Sequence, residues 1–263
     1  MTFIKIPNVA GVFYPDEAET LRQIVRESMS ISAAYDILPE ALIVPHAGYR
    51  YSGEVAGAAY AYVKNGREIF KRVLILGTPH RVYFPGIAAS SAAYFETPLG
   101  NVQVDIDAVK TLCATGTVKT LDAAFEEEHS IEVQLPFLQE ALDDFKIVPL
   151  LIGPGAPEEV CRVIEQLKQN GGLLIITSSD LSHFLNDSEA RVLDAQTSEM
   201  IEQLAFEDLD SKRACGVCAI RGLLCYARKY GMKVQTVQLA NSGETSGELF
   251  RVVGYGAYVI TKE

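Results

Sequence analysis

The sequence has no apolar run of the roughly 18 residues that a membrane-spanning helix requires, so no helical membrane span is expected. Basic side chains are in the minority: 23 Lys and Arg against 34 Asp and Glu leave a formal net charge of −11. Backbone binding to nucleic acid needs clustered cations that displace counterions, and adhesion to anionic lipid needs a similar surface. Neither nucleic acid nor membrane is expected as a partner. Cysteines number five in a chain of 263 residues, an odd set that argues against a disulfide framework. The opening Met1-Thr2-Phe3-Ile4-Lys5-Ile6 turns polar too soon for a secretory signal. A reduced, cytoplasmic protein is the expectation.

Several signatures of chemistry are missing as well. No Gly-x-Gly-x-x-Gly follows the first expected strand, and Gly243, Gly247 and Gly254 do not form a phosphate loop. No nucleotide cofactor is therefore expected. The Gly-x-Ser-x-Gly nucleophile elbow of serine hydrolases is absent too. Without repeat, low-complexity tract or Pro/Gly/Ser linker, residues 1–263 read as one domain.

What is present is an ordinary core-forming composition, 48% apolar and 22% charged, arranged as alternating β-branched and amphipathic segments. Strands are predicted at Ala41–Pro45, Val73–Gly77, Ile147–Ile152, Leu173–Thr177, Val234–Leu239 and Val252–Ile260. Helices are predicted at Glu17–Met29, Gly53–Lys64, Ile106–Cys113, Pro157–Gln169, Glu189–Leu204 and Val217–Tyr230. Asp16 with Glu19 resembles a capping box at the first helix start. The runs at Ala41, Val73, Ile147 and Leu173 are continuously apolar, which suits strands covered on both faces. A β-rich insertion is expected between Gly86 and Val104, around the turn residues Thr97-Pro98-Leu99-Gly100-Asn101. The pattern predicts an α/β fold, three-layer α/β/α with a mostly parallel central sheet whose C-terminal strands run mixed.

Histidine is scarce, and its placement is uneven. Of four histidines, three follow apolar strands almost at once: His46 after Ala41–Pro45, His80 after Val73–Pro79, and His183 after Leu173–Leu181 and Ser182. Ligands of open α/β sheets bind beyond the carboxyl ends of the strands, so parallel neighbours would bring these imidazoles to one edge. Imidazole suits iron, zinc and copper and titrates near physiological pH. Two such ligands plus a carboxylate leave open positions on a metal, and a third, unligated imidazole is suited to moving protons. Taken singly, each of these histidines is equally consistent with capping a strand.

The neighbouring residues add to this. Ser52 is expected to cap the helix that follows His46, and the helix start favours an anionic ligand. Asp180, three residues before His183, either binds a metal or orients that imidazole, or else it caps the next helix. His129 lies in Glu126-Glu127-Glu128-His129, an acidic run expected to be solvated or to start a helix, with Pro136 near a later helix start or kink. The lone Cys215-Gly216-Val217-Cys218 lacks the second ligand pair of a structural zinc site and reads as a buried helix start with two small thiols. Glu244 is the only carboxylate in Asn241–Gly247, a segment that follows the Val234–Leu239 strand.

The segments Gly11-Val12-Phe13-Tyr14-Pro15, Val44-Pro45-His46-Ala47-Gly48-Tyr49, Gly77-Thr78-Pro79-His80, Glu128–Leu138, Ser178-Ser179-Asp180-Leu181-Ser182-His183, Ala214-Cys215-Gly216 and Val253–Tyr258 together resemble the Memo family. The resemblance covers nearly the whole chain and implies a fold similar to that of class III extradiol ring-cleaving dioxygenases, which hold non-haem Fe(II). It implies Fe(II), with zinc or copper as alternatives, on His46 and His80. His183 matches the acid/base histidine of those dioxygenases, with Asp180 beside it, and His129 belongs to the Memo signature as a further catalytic candidate. The dioxygenases draw a third ligand, a Glu, from their C-terminal part, for which Glu244 is the candidate here; some Memo proteins have a Cys in this neighbourhood, which Asn241–Thr245 lacks. Prokaryotic relatives stand beside a radical-SAM protein and an AMMECR1-type protein in the AmmeMemoRadiSam system, which makes those two the implied protein partners. The cleft itself is expected to take a small molecule, in a metal-dependent oxidoreductase, or a peptide, in a non-catalytic protein like the eukaryotic relatives discussed as phosphotyrosine-peptide binders.

Overall fold

The four continuously apolar runs form strands that are buried along nearly their whole length, as strands sandwiched between helices must be. A computed structural model of the chain describes residues 2–30, 37–169 and 171–262. Its N-terminal half comprises β1 (Ile4–Lys5), α1 (Ala18–Ser28), β2 (Ala41–Val44), α2 (Tyr49–Val63), β3 (Arg72–Gly77), β4 (Ile87–Ala89), β5 (Tyr94–Thr97) and β6 (Gly100–Gln103). The middle adds α3 (Ile106–Ala114), β7 (Val118–Thr120), α4 (Leu135–Ala141), β8 (Lys146–Ile152), α5 (Pro157–Lys168) and β9 (Leu173–Ser178). The remainder is β10 (His183–Leu185), α6 (Asp187–Glu202), α7 (Val217–Lys229), β11 (Lys233–Asn241), α8 (Gly243–Ser246) and β12 (Val252–Thr261).

The main sheet runs β10-β12-β2-β9-β3-β8-β4-β7, with β11 on the other side of β12. Its centre, β2-β9-β3-β8, is parallel throughout. Towards the C-terminal end the sheet turns mixed: β12 runs antiparallel to β2, and β10 and β11 antiparallel to β12. Helices α1, α2 and α4 pack on one another; α5 packs on α7, and α6 lies against β11 and β12. The result is the three-layer α/β/α architecture with a mostly parallel, mixed sheet. The insertion after Gly86 divides, since β4 joins the main sheet while β5 and β6 form a hairpin that pairs with β1 in a small three-stranded sheet. Among the described residues no helix is long and apolar enough to cross a membrane.

Two helix starts differ from the sequence pattern. The cap of α1 is Glu17, whose carboxylate accepts the amides of Glu19 and Thr20, so the side chain next to Asp16 does the capping. Helix α2 begins at Tyr49, ahead of Gly53, because the Tyr49 amide finds an acceptor in the Phe13 carbonyl at 2.7 Å. Ser52 is thereby drawn into the first turn, where its hydroxyl donates to the Ala47 carbonyl. Pro136 does fall in the first turn of a helix, α4, where its missing N–H costs nothing.

Candidate metal centre

Because β2, β9 and β3 are adjacent and parallel, their carboxyl ends open on one edge. His46 follows β2 by two residues, Asp180 follows β9 by two, and His80 follows β3 by three. The His46 and His80 rings stand 5.0 Å apart, nearly perpendicular. His129 arrives on the segment before α4 and joins them, stacked on His80 at 4.8 Å and set edge-on to His46 at 5.5 Å. Phe13 closes the far side of His129 at 4.8 Å.

Each strand-end imidazole is held from behind through its Nδ1. That of His46 lies 2.9 Å from the Ser178 hydroxyl, and its backbone amide donates to Asp180 Oδ1 at 2.8 Å. Burial, then the neighbouring His80, push the His46 pKa down to about 3, so the ring is neutral. The Nδ1 of His80 lies 2.9 Å from Glu128 Oε1, and its amide donates to Glu128 Oε2 at 2.6 Å. Glu128 also accepts the amides of His129 and Ser130. Burial works to raise the Glu128 pKa, but the hydrogen bond and charge of His80 with these amides outweigh it and bring the carboxyl to about 2. The acidic run read as solvated therefore splits: Glu126 and Glu127 are exposed, while Glu128 turns inward. Backing each ligand through its second nitrogen fixes the ring orientation and leaves Nε2 facing outward. For His129, burial and then His46 lower the pKa to about 4.

The third donor is one the sequence reading did not select. Cys215, in the turn that enters α7, brings its Sγ to 3.3 Å from His46 Nε2. The Asp180 amide donates to that sulfur and the Cys215 amide to the Asp180 carbonyl, each at 3.3 Å. Gly216 makes this approach possible: a Cβ there would stand 2.6 Å from Ser179 Cβ and 2.7 Å from Thr78 Oγ1. A glycine directly after the first cysteine was the available signal for close packing against other strand ends. Burial, then the Asp180 charge, push the Cys215 thiol up to about 12, and a bound cation would favour the thiolate by taking it as a ligand. Cys218 lies inside α7, half-buried.

Donor atoms of His46, His80 and Cys215 all lie within 4.8 Å of one another. A tetrahedral ion with nitrogen and sulfur at ordinary bond lengths separates those two donors by about 3.5 Å, so the 3.3 Å contact between His46 Nε2 and Cys215 Sγ fits two ligands of one ion. His80, Glu128 and His129 form a second close group, but Glu128 is already engaged by the His80 ring and three backbone amides.

The other expected residues fall in different places. Asp180 is buried, and burial holds its carboxyl above the ordinary range against the opposing His46 amide and nearby imidazoles. Asp180 does not share a helical turn with His183, because residues 180–182 are extended loop and His183 opens β10. His183 is instead oriented by the Leu181 carbonyl, 2.8 Å from its Nδ1, and it acts electrostatically on His46 and Asp180. Glu244 does not reach the imidazoles: it is exposed on α8 and paired with Arg191 at 3.1 Å.

Comparison with known proteins agrees along the whole chain. A curated MEMO1 family protein of Archaeoglobus fulgidus is 34% identical, over 96% of this chain and 98% of its own length. Those of Methanobrevibacter smithii and Aquifex aeolicus are each 33% identical, over 97% and 96% of this chain and 98% and 97% of their own lengths. The family model described as Memo-like protein matches residues 5–259, and the chain belongs to the Memo family.

Proposed function

We propose that this protein is a metal-dependent oxidoreductase that holds a transition-metal ion on His46 Nε2, the free nitrogen of His80 and Cys215 Sγ, and acts on a small molecule at this edge of the sheet. The observation that carries this reading is the 3.3 Å approach of His46 Nε2 to Cys215 Sγ, between residues 169 positions apart, with each imidazole backed through Nδ1. Two imidazoles and a thiolate suit iron, copper and zinc. The resemblance of the Memo family to extradiol dioxygenases, which hold Fe(II), puts Fe(II) first in this reading. A bound iron or copper ion supplies Lewis acidity and one-electron chemistry.

The chain supplies the rest. Asp180 accepts the amide of His46 on its carboxylate and the amide of Cys215 on its carbonyl, which fixes the separation of two donors. Glu128 holds the ring and the amide of His80. His183, with Nδ1 engaged by a carbonyl, offers Nε2 to take a proton from a substrate hydroxyl or return it. His129 is kept neutral above about pH 4 and is suited to accept a hydrogen bond from the ligand.

The test is anaerobic reconstitution with Fe(II), followed by metal analysis and oxygen uptake with a panel of small phenols. Stoichiometric iron in the wild type, its loss in the His46→Ala, His80→Ala double variant, and iron-dependent oxygen uptake are the expected results. Equal metal content in wild type and double variant would refute the metal centre, and iron binding without turnover of any phenol would refute the oxidoreductase.

A further inference from the structure

A buried chain of hydrogen bonds runs from helix α2 to the ring of His46. The Tyr60 hydroxyl donates to Gln134 Oε1 at 3.0 Å. Gln134 Nε2 donates to the Pro45 carbonyl at 3.0 Å and to Ser178 Oγ at 2.9 Å. The Ser178 hydroxyl donates to the Ser130 carbonyl at 2.6 Å and lies 2.9 Å from His46 Nδ1. Tyr60, Gln134, Ser178 and His46 are all buried, where an unmade hydrogen bond is costly.

Hydrogens in such a closed chain can be counted. The Pro45 carbonyl only accepts, so the Gln134 amide must turn its NH2 towards it; the flipped amide would set two acceptors face to face. One amide hydrogen then goes to Pro45 and the other to Ser178. Ser178 has a single hydrogen, and its 2.6 Å contact with the Ser130 carbonyl, again a pure acceptor, is untenable unless that hydrogen lies between the two oxygens. Ser178 Oγ is left with only a lone pair for His46, and the hydrogen between them has to come from the imidazole.

We infer that Gln134 and Ser178 are positioning residues that hold His46 as its Nδ1–H tautomer and so direct the Nε2 lone pair at the space beside Cys215. Gln134 grips the residue twice, through the carbonyl preceding it and through the hydroxyl behind its ring, while Asp180 takes its amide. The two strand-end imidazoles are thus set by different means: a carboxylate orders His80, and a neutral, directional relay orders His46. The consequence for metal affinity rests on the proposed metal centre; the tautomer itself is a property of the protein without metal.

The direct test is long-range 1H–15N correlation on metal-free protein labelled with 15N-histidine. Only four histidines are present, so a His46→Gln variant assigns the signals by subtraction. His46 should show a protonated Nδ1 and an unprotonated Nε2; a ring protonated at Nε2 would overturn the inference, and this measurement needs no variant in the relay to fold. The second arm follows Co(II) binding by its visible absorption. Ser178→Ala and Gln134→Met should each weaken Co(II) binding 10- to 100-fold at retained thermal unfolding, with Ser178→Thr recovering part of the loss. Unchanged Co(II) affinity in a folded Ser178→Ala protein, where Cys215→Ala abolishes Co(II) binding, would overturn the positioning role of Ser178. Co(II) binding that survives Cys215→Ala would instead break the metal reading while leaving the tautomer result to stand by itself.

Discussion

Cys215 and Glu244 both lie in the C-terminal part of the chain, and either residue type can complete a pair of imidazole ligands, yet the fold treats them in opposite ways. Cys215 sits in the turn into α7 against Ser179 and Asp180, with the next residue, Gly216, pressed against Thr78 and Ser179 at the ends of the central parallel strands. Glu244 sits on the short α8 beyond β11, which among the described residues is an edge strand paired with β12. At the centre of the sheet, strand-end loops converge and bury His46 and Asp180. At the edge, a carboxylate keeps its hydration and takes an exposed arginine, Arg191, as partner. What separates the two residues is therefore their distance from the point where parallel strands end side by side.

That contrast can be broken most directly by removing each group. Cys215→Ala is expected to lower metal affinity at least 100-fold, by analogy with the loss of one donor from a three-ligand site, whereas Glu244→Ala should stay within about twofold because its exposed pair with Arg191 contributes little. Chelator competition in the two variants measures both, and a loss confined to Glu244→Ala would reverse the assignment. A smaller effect sharpens the buried side of the comparison. Glu128→Gln, which leaves a weaker, neutral partner for His80 Nδ1, should weaken metal binding about 10- to 100-fold, read in the same competition assay.

A further expected effect concerns protons. His129 has its folded pKa lowered from 6.5 to about 4 by burial first and His46 second. As pH falls below 6.5 the unfolded chain takes up this proton before the folded one, so the metal-free protein loses stability down to about pH 4. His129→Gln removes that proton uptake and should flatten the acid limb by up to about 1.4 kcal/mol per pH unit. Urea unfolding of metal-free wild type and variant between pH 4 and 6.5 checks it; parallel limbs would show that His129 does not stay neutral in the folded state.

Much of the architecture was legible in local sequence. Strands β2, β3, β8 and β9 announce themselves as unbroken apolar runs because both faces are covered, and the histidines just past three apolar runs point to the carboxyl edge of a parallel sheet. Boundaries were less legible where a distant backbone group intervened, as when the Phe13 carbonyl drew the start of α2 back to Tyr49. Within the site, Glu128 looked like one of three equivalent acidic residues, and nothing local separates it from Glu126 and Glu127. Its neighbours in space are His80 and the following amides, 48 positions and one or two positions away.

By itself, then, the order of residues determined the layered α/β plan, the short list of imidazoles and the Memo kinship, because these rest on periodicity and on motifs that are contiguous along the chain. Only the tertiary structure decided that a thiol from the α7 turn, and not the α8 carboxylate, stands beside His46, and that Ser178, Gln134 and Glu128 hold the two imidazoles in place. Those relations join residues dozens to well over a hundred positions apart, and they exist only where sheet order and burial set one strand end against another.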